Sequence, residues 1–393
     1  MPDRPLLMIP GPIEVSPRVL AAFSAPPPSH LEARLMTAFR RALGNMRRVW
    51  GAAPSSQPFV VAGSGTLAME MTAANLIEPG DRALLVNTGF FSQRMGEMLR
   101  RLGAEVTEVR APVGDTPSPE SVAAALAAKP EGSWKALFAT HVDTSTGVRL
   151  DPGPLAGIAA DHGALAVFDG VCATAGEPFD MAALGADVYL TASQKALGLP
   201  PGIALLVASE RALAAREARR SAPPPYYLDW LSWLPVHRAY EEGKPAYFAT
   251  PATSHLLALD AGLEEILEEG MAAHLAAQER AGRAMQAAWE ALGLEPVPVR
   301  RELRASTLSA LYFPPGVDAA LVARIGERGV AVAGGLHPEI RGRYFRVGHM
   351  GYVVRRPDLL RRTVEAVAGG LQDLGRTADG AGAWAAAEAV LGA

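Results

Sequence analysis

Between residues 59 and 191 the chain repeats one unit: a short apolar run, a turn, then a longer stretch with helical spacing. The apolar runs fall at 59–61, 82–86, 135–140, 164–168 and 188–191, a further strand reads at 104–109, and the clearest helical stretches are 67–77 and 118–128. Strands joined through helices lie parallel, because a right-twisted strand feeding a right-handed helix returns to its sheet by a right-handed crossover. The pattern predicts an α/β fold around a mainly parallel sheet. In open sheets of this kind ligands bind beyond the carboxyl ends of the strands. The residues that close each apolar run are therefore where chemistry belongs.

Two closing positions stand out. Asp169 ends the run 164–168, and Lys195 follows 188–191 in the stretch Ser193-Gln194-Lys195-Ala196-Leu197-Gly198-Leu199-Pro200-Pro201-Gly202. There glycine and two prolines forbid a helix and make a rigid loop. Taken singly, each residue has an ordinary reading, a solvated lysine and a turn-forming or capping aspartate. Together on neighbouring strand ends they are what pyridoxal phosphate requires. The amine takes the aldehyde, and the carboxylate keeps the pyridine nitrogen protonated as an electron sink.

A third element is an anion site. Gly63-Ser64-Gly65-Thr66 joins a strand to a helix, so free N–H groups and the positive end of the helix dipole face one point. Residues 63–68 also fit a dinucleotide fingerprint, but the next strand ends in Asn87-Thr88-Gly89 and offers no acid for a ribose. A single phosphate monoester is the better guest. Arg346, inside the apolar stretch Tyr344-Phe345-Arg346-Val347-Gly348, needs a partner. The alternatives are a structural ion pair and a bidentate hold on a substrate carboxylate, which suits a planar guanidinium.

Asp169-Gly170-Val171, Ser193-Gln194-Lys195-Ala196, Pro200-Pro201-Gly202 and the Arg-x-Gly-x-x-Gly spacing from Arg346 resemble the class V aminotransferases, in particular the alanine/serine-glyoxylate (serine-pyruvate) group. The similarity runs from about residue 8 to about residue 374. It implies a pyridoxal-phosphate-dependent transferase of fold type I, with an N-terminal arm at 1–15 and a large cofactor-binding domain at 16–255. A smaller α+β C-terminal domain would occupy 256–375, with a tail at 376–393. On this resemblance Gly63, Ser64, Gly65, Thr66 and Gln194 surround the cofactor phosphate. Phe91, where the family usually carries Trp, stacks on one ring face and Val171 on the other, while Ser145 lies near the ring oxygen and Asp169. Tyr247 and Thr250 are expected to reach across a homodimer to the phosphate of the other subunit. Gly11 in the arm Pro10-Gly11-Pro12, together with Ser145 and Arg346, would bound the substrate.

The implied reaction is ping-pong transamination through an aldimine on Lys195, from alanine or serine to glyoxylate or pyruvate. Aspartate as donor stays open, with Arg94, Arg149 or Arg341 as a second arginine, and so do ureidoglycine-glyoxylate and pyridoxamine-pyruvate transfer. Outside this class stand a nicotinamide-binding oxidoreductase built on 63–68 and a pyridoxal-phosphate-binding protein without turnover.

Composition narrows the setting. A formal net charge of -4 over 393 residues, with basic residues only in doublets such as Arg40-Arg41, argues against a nucleic-acid footprint. No apolar run approaches the roughly 20 residues of a membrane span, and the expected location is the cytoplasm. One cysteine, Cys172, leaves no intrachain disulfide and no multi-cysteine metal site. Cys172 and His141 are expected to be structural. Residues 221–245, rich in Pro, Trp and Tyr without periodicity, read as a long irregular arm ordered partly by a partner subunit. The Gly/Ala-rich end carries no readable role.

Overall fold

The computed structural model describes residues 4–130 and 132–392. The first three residues of the expected arm and the last of the expected tail lie outside them. Seven strands, β1 (Gln57–Ala62), β2 (Arg82–Asn87), β3 (Glu105–Arg110), β4 (Trp134–Thr140), β5 (Leu165–Asp169), β6 (Val188–Ala192) and β7 (Ile203–Ala208), form one sheet in the order β1-β7-β6-β5-β4-β2-β3. β7 runs antiparallel to β1 and β6, and every other pairing is parallel. β1 to β6 therefore deliver their carboxyl ends to one edge.

Apart from β3, the partly exposed edge strand, the strands are largely apolar because both faces are covered. Leu84, Val86, Leu137, Phe168 and Leu205 face a core shared with the helix Ala33–Trp50. Their neighbours Leu85, Phe138, Val167 and Leu206 face a second core shared with the helix Gly65–Leu76. Leu31 lies before the start of the helix Ala33–Trp50 and is 60% exposed.

A smaller antiparallel sheet, β8 (Leu308–Tyr312), β9 (Ala333–Gly334) and β10 (Tyr344–Gly348), has the order β8-β10-β9. Helices Met271–Ala291 and Pro357–Asp373 pack on it around Trp289, Leu311, Phe345 and Val367. The N-terminal arm joins this part of the molecule. Leu6–Leu7 pairs in parallel with Val330–Ala331, and the Gly348 N–H bonds the Met8 carbonyl at 2.7 Å. Among the described residues no helix is long and apolar enough to cross a membrane.

Two expectations are corrected. Residues 221–245 are not irregular throughout: Trp230–Glu241 is an α-helix with Pro235 inside it. A proline there removes one helical hydrogen bond. The loss is offset by burial of Trp230, Trp233 and Tyr240 and by the Asp229 cap on the Leu231 N–H, itself held by buried Arg216 at 2.7 Å. The C-terminal stretch is not a loose tail either. Gly380–Leu391 is a helix, capped by Asp379 on the Gly382 N–H at 2.9 Å, and it lays Ala383, Trp384 and Ala387 into the core around the smaller sheet. Alanine and glycine give little contrast between faces, so no amphipathic signal betrays it.

Emptying the Trp384 site is expected to lower the unfolding free energy by about 3 kcal/mol, the usual cost of removing a buried aromatic side chain. Urea denaturation of Trp384→Ala measures it, and an unchanged midpoint would mean that this helix is undocked in solution.

Candidate active site

Lys195 is presented by the loop between β6 and β7. The Ser193 N–H bonds the Ile203 carbonyl and the Leu199 N–H bonds the Ser193 carbonyl, both at 3.2 Å, so the loop closes on its own base. Lys195 is 8% exposed and its amine donates to the Pro10 carbonyl of the arm. Burial pushes the amine below its ordinary pKa; Cys172 and Asp169 oppose that shift and Arg346 adds to it. A lysine so placed is more often neutral and nucleophilic. Gly11 permits the contact: its φ is +88°, and a Cβ there would lie 2.6 Å from Lys195 Cδ and 2.8 Å from the Gln194 carbonyl oxygen.

Asp169 closes β5 and is 4% exposed. Its Oδ1 accepts the Val171 N–H at 2.9 Å, and among the described residues no donor bonds its other oxygen. Burial pushes this carboxyl up to about 7; the Val171 N–H, Arg94 and Lys195 work against the rise and Asp143 adds to it. Such an acid is short of a cation or hydrogen-bond donor.

The turn after β1 leads into the helix Gly65–Leu76. Ser64 is its N-cap yet makes no side-chain cap bond, so the first N–H groups remain for an anion. Gly65 is buried, and a Cβ there would stand 3.0 Å from Val171 and 3.3 Å from Ala192. The turn, Val171 and the end of β6 thus pack together. After β2, half-buried Phe91 opens the helix Phe90–Arg101, edge-on to Phe90. Arg94 lies 4.9 Å over the Phe91 ring and donates to Thr66 Oγ1 at 3.0 Å, which ties the aromatic to the anion turn.

Ser145 is fully buried in the loop after β4, where its hydroxyl accepts the Phe90 N–H at 3.0 Å. Arg346 on β10 donates from Nε to the Gly334 carbonyl at 3.0 Å and from Nη1 to the Thr144 carbonyl at 3.1 Å. These are uncharged partners, and among the described residues no carboxylate pairs with Arg346. Its guanidinium plane is fixed while its charge and Nη2 stay free for a carboxylate. Arg149, in contrast, is tied to buried Glu177 at 3.2 Å and to the Glu302 carbonyl.

Most residues singled out from the sequence therefore converge: Gly11, Gly63, Ser64, Gly65, Thr66, Phe91, Ser145, Asp169, Val171, Gln194, Lys195 and Arg346. Tyr247 and Thr250 do not join them. Tyr247 is 65% exposed, its hydroxyl 3.5 Å from Thr250 Oγ1, and among the described residues no hydrogen bond links either to the turn 63–66. His141 bonds the Tyr189 hydroxyl at 2.9 Å and is held neutral by burial, which lowers its pKa to about 3. Cys172 is buried 3.8 Å from Thr307 Oγ1, and burial pushes its thiol up. Both are structural. Sequence reasoning missed Asp143 and Tyr344. The Tyr344 hydroxyl accepts the N–H groups of Leu336 and His337 at 2.8 and 2.9 Å and donates to the Ser145 carbonyl.

The residues present fit pyridoxal phosphate. There is a buried amine, a buried acid with an oxygen to spare, an uncapped helix start beside glycine, and an aromatic next to it. Comparison with known proteins points the same way. The family model described as aminotransferase class-V matches residues 24–355. Alanine–glyoxylate aminotransferase 1 of Saccharomyces cerevisiae is 36% identical over 362 residues, 88% of this chain and 91% of the yeast protein. Serine–glyoxylate aminotransferase of Arabidopsis thaliana is 30% identical over 90% of this chain and 87% of its own. The crystal structure of alanine–glyoxylate aminotransferase from Nostoc sp. superposes with a TM-score of 0.86 at 31% identity, covering 96% of each chain.

Asp169 makes the cofactor-free protein pH-sensitive in a defined direction. Its folded pKa, about 7, lies above the ordinary 3.8, so folding holds the proton more tightly. The associated stability is complete below about pH 4 and is lost as the pH rises through 7, by roughly 4 kcal/mol at most. Urea unfolding from pH 4 to 8 is expected to show this decline relative to Asp169→Asn, and parallel curves for the two proteins would contradict it.

Proposed function

The chain belongs to the class-V aminotransferases, and from that premise we propose that it moves an amino group from alanine or serine to glyoxylate or pyruvate. It is a pyridoxal-phosphate-dependent enzyme of fold type I. The nicotinamide reading of residues 63–68 falls with that assignment. The observation that carries the substrate reading is Arg346, an arginine without an acidic partner among the described residues, fixed by two carbonyls beside Ser145 and Lys195's loop. A single fixed guanidinium suits a substrate with one carboxylate. Arg149 is already engaged, and Arg94 is laid on Phe90 and Phe91.

When bound, pyridoxal phosphate supplies an aldehyde for the substrate's amino group and a ring that accepts the electron pair left at the α-carbon. Lys195 Nζ, desolvated and aimed by the Pro10 carbonyl, would be the nucleophile toward the aldehyde and the base for the α-proton. Asp169 would hold the proton on the ring nitrogen, and the helix start at Gly65 with Ser64 and Thr66 would neutralise the phosphate. Phe91 and Val171 would confine the ring. Arg346 grips the carboxylate so that the α-carbon bond to be broken is oriented before Lys195 acts.

This reading includes a homodimer with shared sites. Exposed Tyr226, Tyr247 and Leu31 are a surface that a second copy would cover, bringing Tyr247 and Thr250 to the partner's phosphate. A cytoplasmic setting, in keeping with one unpaired cysteine, belongs to the same reading.

Addition of L-alanine to purified protein is expected to bleach a yellow band, and glyoxylate to restore it; Lys195→Ala should lack both responses. A band that ignores alanine and serine but responds to aspartate or pyridoxamine would replace the substrate assignment. Arg346→Lys, which loses the fork but keeps the charge, is expected to lower kcat/KM roughly 10- to 100-fold, as befits a charge-assisted pair. An unchanged value would remove the clamp.

A further inference from the structure

Beneath the ring-binding residues lies a carboxylate that no step above uses. Asp143 is fully buried in the turn after β4. Its Oδ1 accepts the Ser145 N–H at 2.9 Å and the Ser145 hydroxyl at 2.6 Å. Its Oδ2 accepts the N–H groups of Phe91 at 3.2 Å and Ser92 at 3.3 Å, with the Ser92 hydroxyl also at 3.3 Å. Asp143 thus caps, from another strand's loop, the helix that starts at Phe90. That helix's own N-cap is Gly89, which has no side chain to offer. A Cβ at Gly89 would stand 2.6 Å from Asp143 Cγ and 2.5 Å from Ser145 Oγ, so the close approach needs glycine.

The Ser145 hydroxyl has one hydrogen. At 2.6 Å it goes to Asp143, and the Phe90 N–H occupies an oxygen lone pair at 3.0 Å. What the hydroxyl can still offer is a lone pair. We propose that Asp143 is a positioning residue for the cofactor site: it fixes Ser145 as an acceptor toward the pocket and anchors the helix start that places the Phe91 ring. The inference rests on the pyridoxal phosphate reading above. Asparagine is no equivalent, since its amide hydrogens would meet either the Ser145 donors or those of Phe91 and Ser92. The Asp143 charge also acts on Asp169, whose carboxyl it helps push up.

The test is the pH titration of the visible band of the pyridoxal-phosphate-loaded protein, together with the thermal midpoint of each sample. Asp143→Asn removes a buried negative charge and, where its amide nitrogen faces Ser145, frees the Ser145 hydrogen as a donor toward the ring oxygen. Both disfavour a cation at the lysine nitrogen. The titration midpoint is expected to fall by at least about half a pH unit, roughly threefold in the proton equilibrium. In a Ser145→Ala background the same substitution is expected to shift it less, because part of the effect passes through Ser145. Equal shifts in the two backgrounds would overturn the proposal. So would an unmoved titration midpoint with only a lowered thermal midpoint, which would leave Asp143 a structural carboxylate. Should Asp143→Asn not fold, Ser145→Ala, which keeps the carboxylate and its backbone donors, must itself move the titration midpoint; no movement overturns the proposal equally. If the unsubstituted protein forms no band with added pyridoxal phosphate, the cofactor reading itself fails, and this inference with it.

Discussion

Lys195 and Asp169 are withdrawn from water at the ends of adjacent parallel strands, and burial moves each toward its neutral form, the amine downward and the acid upward. Much of the surrounding structure serves to make that burial tolerable. The lysine's hydrogen is taken by the Pro10 carbonyl, and the acid's Oδ1 by the Val171 N–H. Neither partner is a full opposite charge. The two groups are thus not neutralised against each other, the condition in which perturbed groups cluster at functional sites.

The substrate end of the site is built where two parts of the fold meet. Tyr344 and Arg346 lie two residues apart on β10, hence on one face of the strand. Each ties the loop at 334–337 to the loop after β4, Arg346 through the carbonyls of Gly334 and Thr144, Tyr344 through Leu336, His337 and Ser145. The arm repeats the theme, paired with the small domain at Leu6–Leu7 and delivering Pro10 and Gly11 to the lysine loop. Asp143 adds a third tie, between the loops after β2 and β4. Arg346, Lys195 and Phe91 are therefore mechanically connected.

Where the apolar runs were continuous, the sequence was readable. β1 to β6 and the helices between them stand close to the expected limits, because a strand buried on both faces, as all of these but the edge strand β3 are, must be largely apolar. Legibility failed where packing overrode local preference. The helix Trp230–Glu241 survives an internal proline through its buried aromatics. The helix Gly380–Leu391 hides in a composition that has no polar face. β7 is as apolar as its neighbours, and its reversed direction follows from its direct connection to β6 through the lysine loop, which carries no crossover helix.

The order of strands and turns along the chain determined the class of fold, the edge at which chemistry occurs, and the pairing of Lys195 with Asp169, since these depend on hydrophobic period and on which residue ends each run. Tertiary structure alone decided who faces whom. The Pro10 carbonyl meets the lysine 185 positions away, and Tyr344 meets Ser145 across 199. Asp143 gains its role only from the Phe91 and Ser92 N–H groups brought to it from 52 and 51 positions upstream. A carboxylate's role is set by the donors around it, and no local pattern encodes neighbours that arrive from another strand.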